Sequence, residues 1–168
     1  MIRIVLIGAE STGKSTLAAA LVDALGLPCT GEFVRTYVDG LSRPLSADDL
    51  DPIARGQLDE EDRFATAGRV LHDTNLLSTL VYAHHYFGVR QAWVERAFSQ
   101  RDYAVYLFCQ PDIPWVADPG QREGPQVRDV LHRRFANALR ERALRVVKIA
   151  GTPQARLRTA LDAIAALT

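Results

Sequence analysis

Residues Gly8 to Thr16 read Gly-Ala-Glu-Ser-Thr-Gly-Lys-Ser-Thr, an unbroken Gly-x-x-x-x-Gly-Lys-Ser/Thr pattern. The glycines let successive backbone N–H groups turn into one hollow without Cβ clashes. A helix beginning at about Gly13 adds its positive end to that hollow, which makes it a cradle for phosphate. Lys14 supplies a point charge for the outer phosphates, and the Ser15 hydroxyl is placed to ligate Mg²⁺. Lysine otherwise occurs only at Lys148, so its presence at this one position is informative.

The flanks meet the same demand. Arg3 to Ile7 is a short apolar run suited to a buried parallel strand, and Leu17, Ala20, Leu21, Ala24 and Leu25 follow at helical spacing. Strand, loop and helix in that order are the context of a P-loop. The candidate nucleotide contacts are Gly8, Glu10, Ser11, Thr12, Gly13, Lys14, Ser15 and Thr16.

With 168 residues the chain is expected to form one domain over 1–168. A formal net charge of zero argues against a nucleic-acid binder that relies on a general basic field. No apolar run approaches membrane-spanning length, and the N-terminus enters a strand directly, leaving no room for a signal peptide. Cys29 and Cys109 stand alone in apolar surroundings and read as reduced core residues of a cytoplasmic protein. His84-His85 does not read as a metal pair, because adjacent helical residues point about 100° apart.

The remaining elements follow from periodicity and punctuation. Strands are expected at 27–30, Arg69–Asp73, Tyr103–Cys109 and Arg145–Ala150. Helices are expected over Asp48–Ala67, Leu76–Phe87, Arg90–Ser99 and Val127–Leu144, with a terminal helix carrying Ala155, Leu157, Leu161, Ile164 and Ala165. Gln57, Glu60 and Glu61 lie on the helix from Asp48, and most of those charges read as a solvated face. Trp93 and Phe98 read as core.

In a parallel α/β sheet, ligands bind where the chain leaves the carboxyl ends of strands. Glu32 and Arg35 sit at one such exit, three apart, and share a face if the segment is helical. They are either a surface ion pair or a carboxylate and guanidinium facing a second substrate. Asp73 ends an apolar strand, where a P-loop enzyme places its Mg²⁺-organising carboxylate; it also suits the cap of the next helix. Residues 110–125 hold four prolines and two glycines, too broken for a regular element and too long for an ordinary connection. This stretch reads as a lid over about 111–128, bringing Arg122 or Arg128 over the phosphates. Arg133, Arg134, Arg140 and Arg142 read as a solvated basic face. The turn Gly151-Thr152-Pro153 leaves the same sheet edge and forms a candidate wall for adenine through backbone groups, with Gly151 and Pro153 as contacts.

With these pieces in place, the chain resembles the P-loop ribosylnicotinamide kinase-like family, the kinase module of the bifunctional NAD-salvage regulator that also occurs as free-standing small proteins. The resemblance rests on Gly8 to Thr16, Glu32-Phe-Val-Arg-Thr-Tyr37, His72-Asp-Thr74 and Asp112-Ile-Pro-Trp-Val-Ala-Asp118 with Arg122. It implies a three-layer α/β P-loop NTPase fold of the nucleoside- and nucleotide-kinase type. The parallel five-stranded sheet would run in the order 2-3-1-4-5, with a lid segment. It further implies transfer of a phosphoryl group from ATP·Mg²⁺ to a nucleoside-like hydroxyl, nicotinamide riboside first. Glu32 would match the acid near the acceptor hydroxyl, Asp73 the strand-end carboxylate, and Arg122 the lid arginine. The acceptor set then comprises Glu32, Arg35, Gln57, Asp73 and Trp115, and the catalytic set Lys14, Asp73, Glu32, Arg122 and Arg128. Mg²⁺ falls to Ser15 and Asp73, and homodimer formation is compatible with this reading. Within residues 1–168 no adenylyltransferase or DNA-binding domain is expected, and Pro119 between Asp118 and Gly120 departs from the family pattern. Other readings are a kinase for a different nucleoside, nucleotide or metabolite, and a regulatory ATPase without a small acceptor. A GTPase lacks its guanine-reading Asn-Lys-x-Asp motif here.

Overall fold

The computed structural model describes residues 1–116 and 124–167. Among the described residues five strands are present: β1 (Ile2–Ile7), β2 (Cys29–Thr30), β3 (Arg69–Asp73), β4 (Val105–Cys109) and β5 (Val146–Ile149). They form one parallel sheet in the order β2-β3-β1-β4-β5, as the resemblance implied. β1 is central because its side chains from Ile4 to Ile7 are all fully buried, which only a strand covered on both faces requires.

Seven α-helices among the described residues follow from the same alternation: α1 (Lys14–Leu25), α2 (Phe33–Asp39), α3 (Leu50–Asp62), α4 (Leu76–Phe87), α5 (Ala92–Ser99), α6 (Pro125–Glu141) and α7 (Pro153–Ala165). Ile4 and Leu6 point to one face of β1 and pack with Leu17, Leu21, Ala160 and Ile164 of α1 and α7. Val5 and Ile7 point to the other and pack with Ala54, Leu76, Val81, Val94, Leu131 and Phe135, from α3 to α6. The result is three layers. α1 leaves β1 toward one face while α4 and α6, which follow the neighbouring strands β3 and β4, lie on the other. A crevice therefore opens beside the carboxyl end of β1.

The expected helix Leu76–Phe87 is α4 to the residue, capped by Asn75 Oδ1, which accepts from Leu77 N. The expected single helix from Asp48 to Ala67 is instead a short 3₁₀ turn at Ala47–Asp49 followed by α3, which ends at Asp62. The break lies at Asp49. Its carboxylate accepts from both Nη of Arg43 at 2.7 Å, from Tyr37 Oη at 2.9 Å and from Ser46 N at 2.8 Å. Arg43 above all holds the Asp49 carboxyl well below the usual carboxylate range. The expected solvated face of this helix is corrected at Glu61, which is buried, as is Gln57 of the expected acceptor set. Tyr103 Oη donates to Glu61 at 2.7 Å, and burial pushes that carboxyl up. Trp93 is partly buried rather than fully core; its ring lies under the Arg55 guanidinium at 4.7 Å and its Nε1 donates to Asp51. Among the described residues no helix is long and apolar enough to cross a membrane.

Candidate active site

The loop after β1 is shaped by close backbone approach. Gly8 has φ +150°, and a Cβ there would lie 2.9 Å from the Cys109 carbonyl oxygen at the end of β4, so no larger residue fits. Thr12 Oγ1 donates to Ala9 O at 2.7 Å and closes the loop on itself. Ser11 has φ 52°, a left-handed conformation uncommon outside glycine. It is held there from two sides: Val116 N donates to Ser11 Oγ at 3.0 Å, and Arg128 Nη1 reaches Ser11 O at 3.4 Å. Gly13, with φ 80°, starts α1 and presents the helix N-terminus to the loop.

Lys14 is buried, and its ammonium lies along the loop, donating to Gly8 O at 2.9 Å and Ala9 O at 3.0 Å. Ser15 and Thr16 are exposed at the first turn of α1, and Glu10 is half-buried.

The end of β3 lies alongside, since Leu6 and Asp73 are register partners. Thr74 takes φ 69° and donates its N–H to Leu6 O at 3.1 Å, which turns the chain sharply after Asp73. Asp73 Oδ1 is buried and has no hydrogen-bond partner among the described residues. Burial first, and then the Glu32 carboxylate, push the Asp73 carboxyl up, while Lys14 and Arg35 pull it down. Lys14, Glu32, Arg35 and Asp73 are thus brought into one electrostatic neighbourhood. The Cys29 thiol beside them is pushed up to about 11, by burial and then by Asp73.

α2 begins right after Glu32, so Glu32 and Arg35 do share a face: Arg35 Nε donates to Glu32 Oε2 at 2.7 Å. The Arg35 side chain is 53 % exposed and that of Glu32 13 %, so the pair straddles the rim with its acid turned inward. Gln57, from α3, accepts from Phe33 N at 3.2 Å through Oε1, and its Nε2 is buried without a partner among the described residues. Beside it the Phe33 ring lies flat on Gly56. Gln57 therefore positions the start of α2 and also presents a free donor.

Residues beyond β4 reach back to the phosphate loop. Arg128, on α6, donates to Ile113 O at 2.9 Å as well as to Ser11 O. Trp115 is half-buried where this segment passes the loop. Arg122, the other arginine expected in a lid, lies outside the described residues, as does Asp118. Gly151 has φ 91° and Pro153 opens α7, capped by Thr152 Oγ1, so the turn beside the loop is built as the spacing suggests.

Arg156 was missed in the sequence. It is 4 % exposed, and its guanidinium donates to Thr12 O, Gln110 O and Gly151 O and pairs with Asp112. The one available signal is a cation in the first turn of a helix, where the dipole disfavours it.

The chain as a whole is similar to known proteins. A family model described as an AAA domain, AAA_28, matches residues 3–156. The chain belongs to that family. Within it, the chain is 27 % identical over 154 residues to the trifunctional NAD biosynthesis/regulator protein NadR of Salmonella typhimurium, covering 87 % of this chain and 37 % of that protein. It is 29 % identical over 145 residues to the Escherichia coli protein of the same name, covering 82 % and 34 %. The resemblance read from four sequence stretches is thus borne out, although these relatives are trifunctional rather than bifunctional by name. The chain spans about a third of the length of the curated relatives it matches. Among solved structures it is similar to a NadR protein in complex with NR, with TM-score 0.81 and 24 % identity, covering 99 % of this chain and 51 % of that one. It is also similar to deoxyadenosine kinase from M. mycoides, with TM-score 0.69 and 10 % identity, covering 98 % and 100 %. The fold of this AAA_28 member is therefore that of the NadR-like and nucleoside-kinase P-loop proteins.

Proposed function

We propose that this chain is an ATP- and Mg²⁺-dependent kinase that transfers the γ-phosphoryl group to a nucleoside-like hydroxyl, with nicotinamide riboside as the acceptor. The observation that carries this is Asp73. Its carboxylate has one buried oxygen with no partner among the described residues, and it feels both the lysine of a phosphate cradle and a second acid, Glu32, at the rim. A simple phosphate-binding module has no need of that second half. NadR relatives and a nucleoside-kinase neighbour support the same chemistry.

The donor set fits Mg²⁺. Among the described residues no three His, Cys, Asp or Glu side chains converge into a metal cage. Mg²⁺ in kinase sites takes one or two protein oxygens, with substrate phosphates and water supplying the rest. Ser15 and Asp73 would hold it, and when bound it supplies charge neutralisation across the phosphate oxygens.

The protein's own residues then perform the following. The N–H groups of Gly8–Thr16 hold the β- and γ-phosphates. Lys14 exchanges the Gly8 and Ala9 carbonyls for phosphate oxygens. Arg35, held by Glu32, together with Gln57 and Trp115, orients the acceptor. The acceptor oxygen forms a bond to Pγ as the bond from Pγ to the β-bridging oxygen breaks. ADP departs, and the hydroxyl proton passes to the carboxylate of Glu32 or Asp73. Catalysis is mostly positional and electrostatic.

The test is ADP release from ATP·Mg²⁺ with nicotinamide riboside, ribo- and deoxynucleosides, nucleoside monophosphates and no acceptor. Stimulation by nicotinamide riboside above all others supports the proposal. Stimulation by a different acceptor keeps the reaction and overturns the substrate. Hydrolysis that no acceptor changes overturns the kinase.

The acceptor half has its own check. A Cβ at position 56 would fall 2.1 to 2.5 Å from Phe33 ring carbons. Gly56→Ala is expected to displace that ring and the start of α2, costing about 1–3 kcal/mol of stability. In steady-state assays the acceptor KM should rise several-fold with the KM for ATP little changed. Equal rises in both would show that α2 does not serve the acceptor separately.

A further inference from the structure

The guanidinium of Arg156 connects three segments that are far apart in sequence. It donates from Nη1 to Thr12 O at 2.9 Å, from Nη2 to Gln110 O at 3.0 Å and from Nε to Gly151 O at 3.0 Å, and it pairs with the Asp112 carboxylate. Asp112 completes the knot by accepting from Gly151 N at 2.6 Å through its other oxygen. Four donor contacts from one side chain that is 4 % exposed are more than is needed to seat a terminal helix. Arg156 also sits in the first turn of α7, where the helix dipole opposes it. What offsets those costs is a set of carbonyls at the ends of β1, β4 and β5, all on the ligand side of the sheet.

The position of each contact matters. Thr12 belongs to the phosphate cradle and precedes the helix-opening Gly13; a Cβ at Gly13 would lie 3.7 Å from Arg156 Nη1. Gly151 is the left-handed turn residue beside the cradle. Gln110 and Asp112 are the root of the segment whose later residues, Ile113 and Val116, are tied to Arg128 and Ser11. Consecutive carbonyls of the cradle, Ser11 and Thr12, thus accept from arginines on two later helices.

We infer that Arg156, with Asp112, is a positioning pair that fixes the phosphate cradle and the Gly151–Pro153 turn as one preassembled nucleotide site, so that a single triphosphate nucleotide meets both at once. This rests on the nucleotide site proposed above and adds a division of labour within it. Arg156 holds the phosphate end through Thr12, and Asp112 holds the base end through Gly151 N. A planar fork with donors in three directions does this where lysine, a compact point charge, cannot.

The experiment uses the full chain and two ligands in the presence of Mg²⁺, ATP and inorganic tripolyphosphate. Their Kd values are measured by calorimetry below the thermal midpoint of every variant. Arg156→Lys is expected to weaken both ligands ten-fold or more in a folded protein. Asp112→Asn is expected to weaken ATP five-fold or more while tripolyphosphate stays within two-fold of wild type. A role confined to holding the fold together would lower the thermal midpoint and leave both Kd values unchanged, which would overturn the inference. If Arg156→Lys does not fold, Asp112→Asn decides alone: selective loss of ATP supports the pair, and equal binding overturns it. Wild-type protein that binds neither ligand would overturn the nucleotide site itself, and the pair with it.

Discussion

Lys14→Ala is expected to lower kcat/KM for phosphoryl transfer by on the order of 10³-fold while the protein stays folded. The size of the loss follows from where the ammonium lies. It is 7 % exposed and already inside the loop, 2.9 and 3.0 Å from the Gly8 and Ala9 carbonyls, so it has a short path to phosphate and little water to shed. A charge placed in advance at the site of developing negative charge is the kind of contribution that mutation removes almost entirely. The fold is expected to survive, because the two carbonyls that Lys14 leaves behind can turn to water in the opened loop. Single-turnover ADP formation measures the first quantity and thermal unfolding the second. Turnover near the wild-type value in a folded mutant would remove the loop from the reaction.

The second large effect is expected at Asp73. Asp73→Asn keeps the shape and removes the charge. We expect kcat to fall about 10²-fold or more, with the KM for ATP rising by far less. The separation is expected because ATP would be held mainly by the backbone cradle and Lys14, whereas Asp73, at the end of β3 and within the influence of Glu32, is proposed to face the acceptor. An asparagine there also loses its repulsion toward Glu32, one of the influences that push the Asp73 carboxyl up. Acceptor binding should therefore hold or improve as transfer fails. Steady-state kinetics with both substrates varied separates the terms. Equal losses in kcat and in ATP affinity would reduce Asp73 to a binding residue.

The parts of this protein that were legible in sequence are those fixed by local rules. β1 and its loop are constrained by glycine and by continuous burial. α4 is bounded by Asn75 at one end and Gly88 at the other, and the structure places it at the expected residues. Glu32 and Arg35 were readable because helical spacing alone puts them together. Glu61 was not. A charged residue on an amphipathic helix reads as solvated unless its partner is known, and the partner, Tyr103 Oη, comes from an element 42 residues away. Arg156 failed for the same reason more strongly, since its partner Thr12 is 144 residues distant. Asp112 lay within a quoted motif but without a role, because the turn it anchors is at Gly151. Long-range polar pairing leaves almost no periodic trace, whereas burial leaves a clear one.

α2 has no buried residue, in contrast to the strands behind it. Among the described residues, the Phe33 N bond to Gln57, the ring on Gly56 and the Tyr37 bond to Asp49 fasten it to the rest. An arm attached in this way can be retuned by a few substitutions without disturbing the sheet or the phosphate loop. Relatives that share the cradle are then free to diverge in what they accept, and acceptor preference should track the Glu32–Asp39 arm and its α3 seat more closely than overall identity.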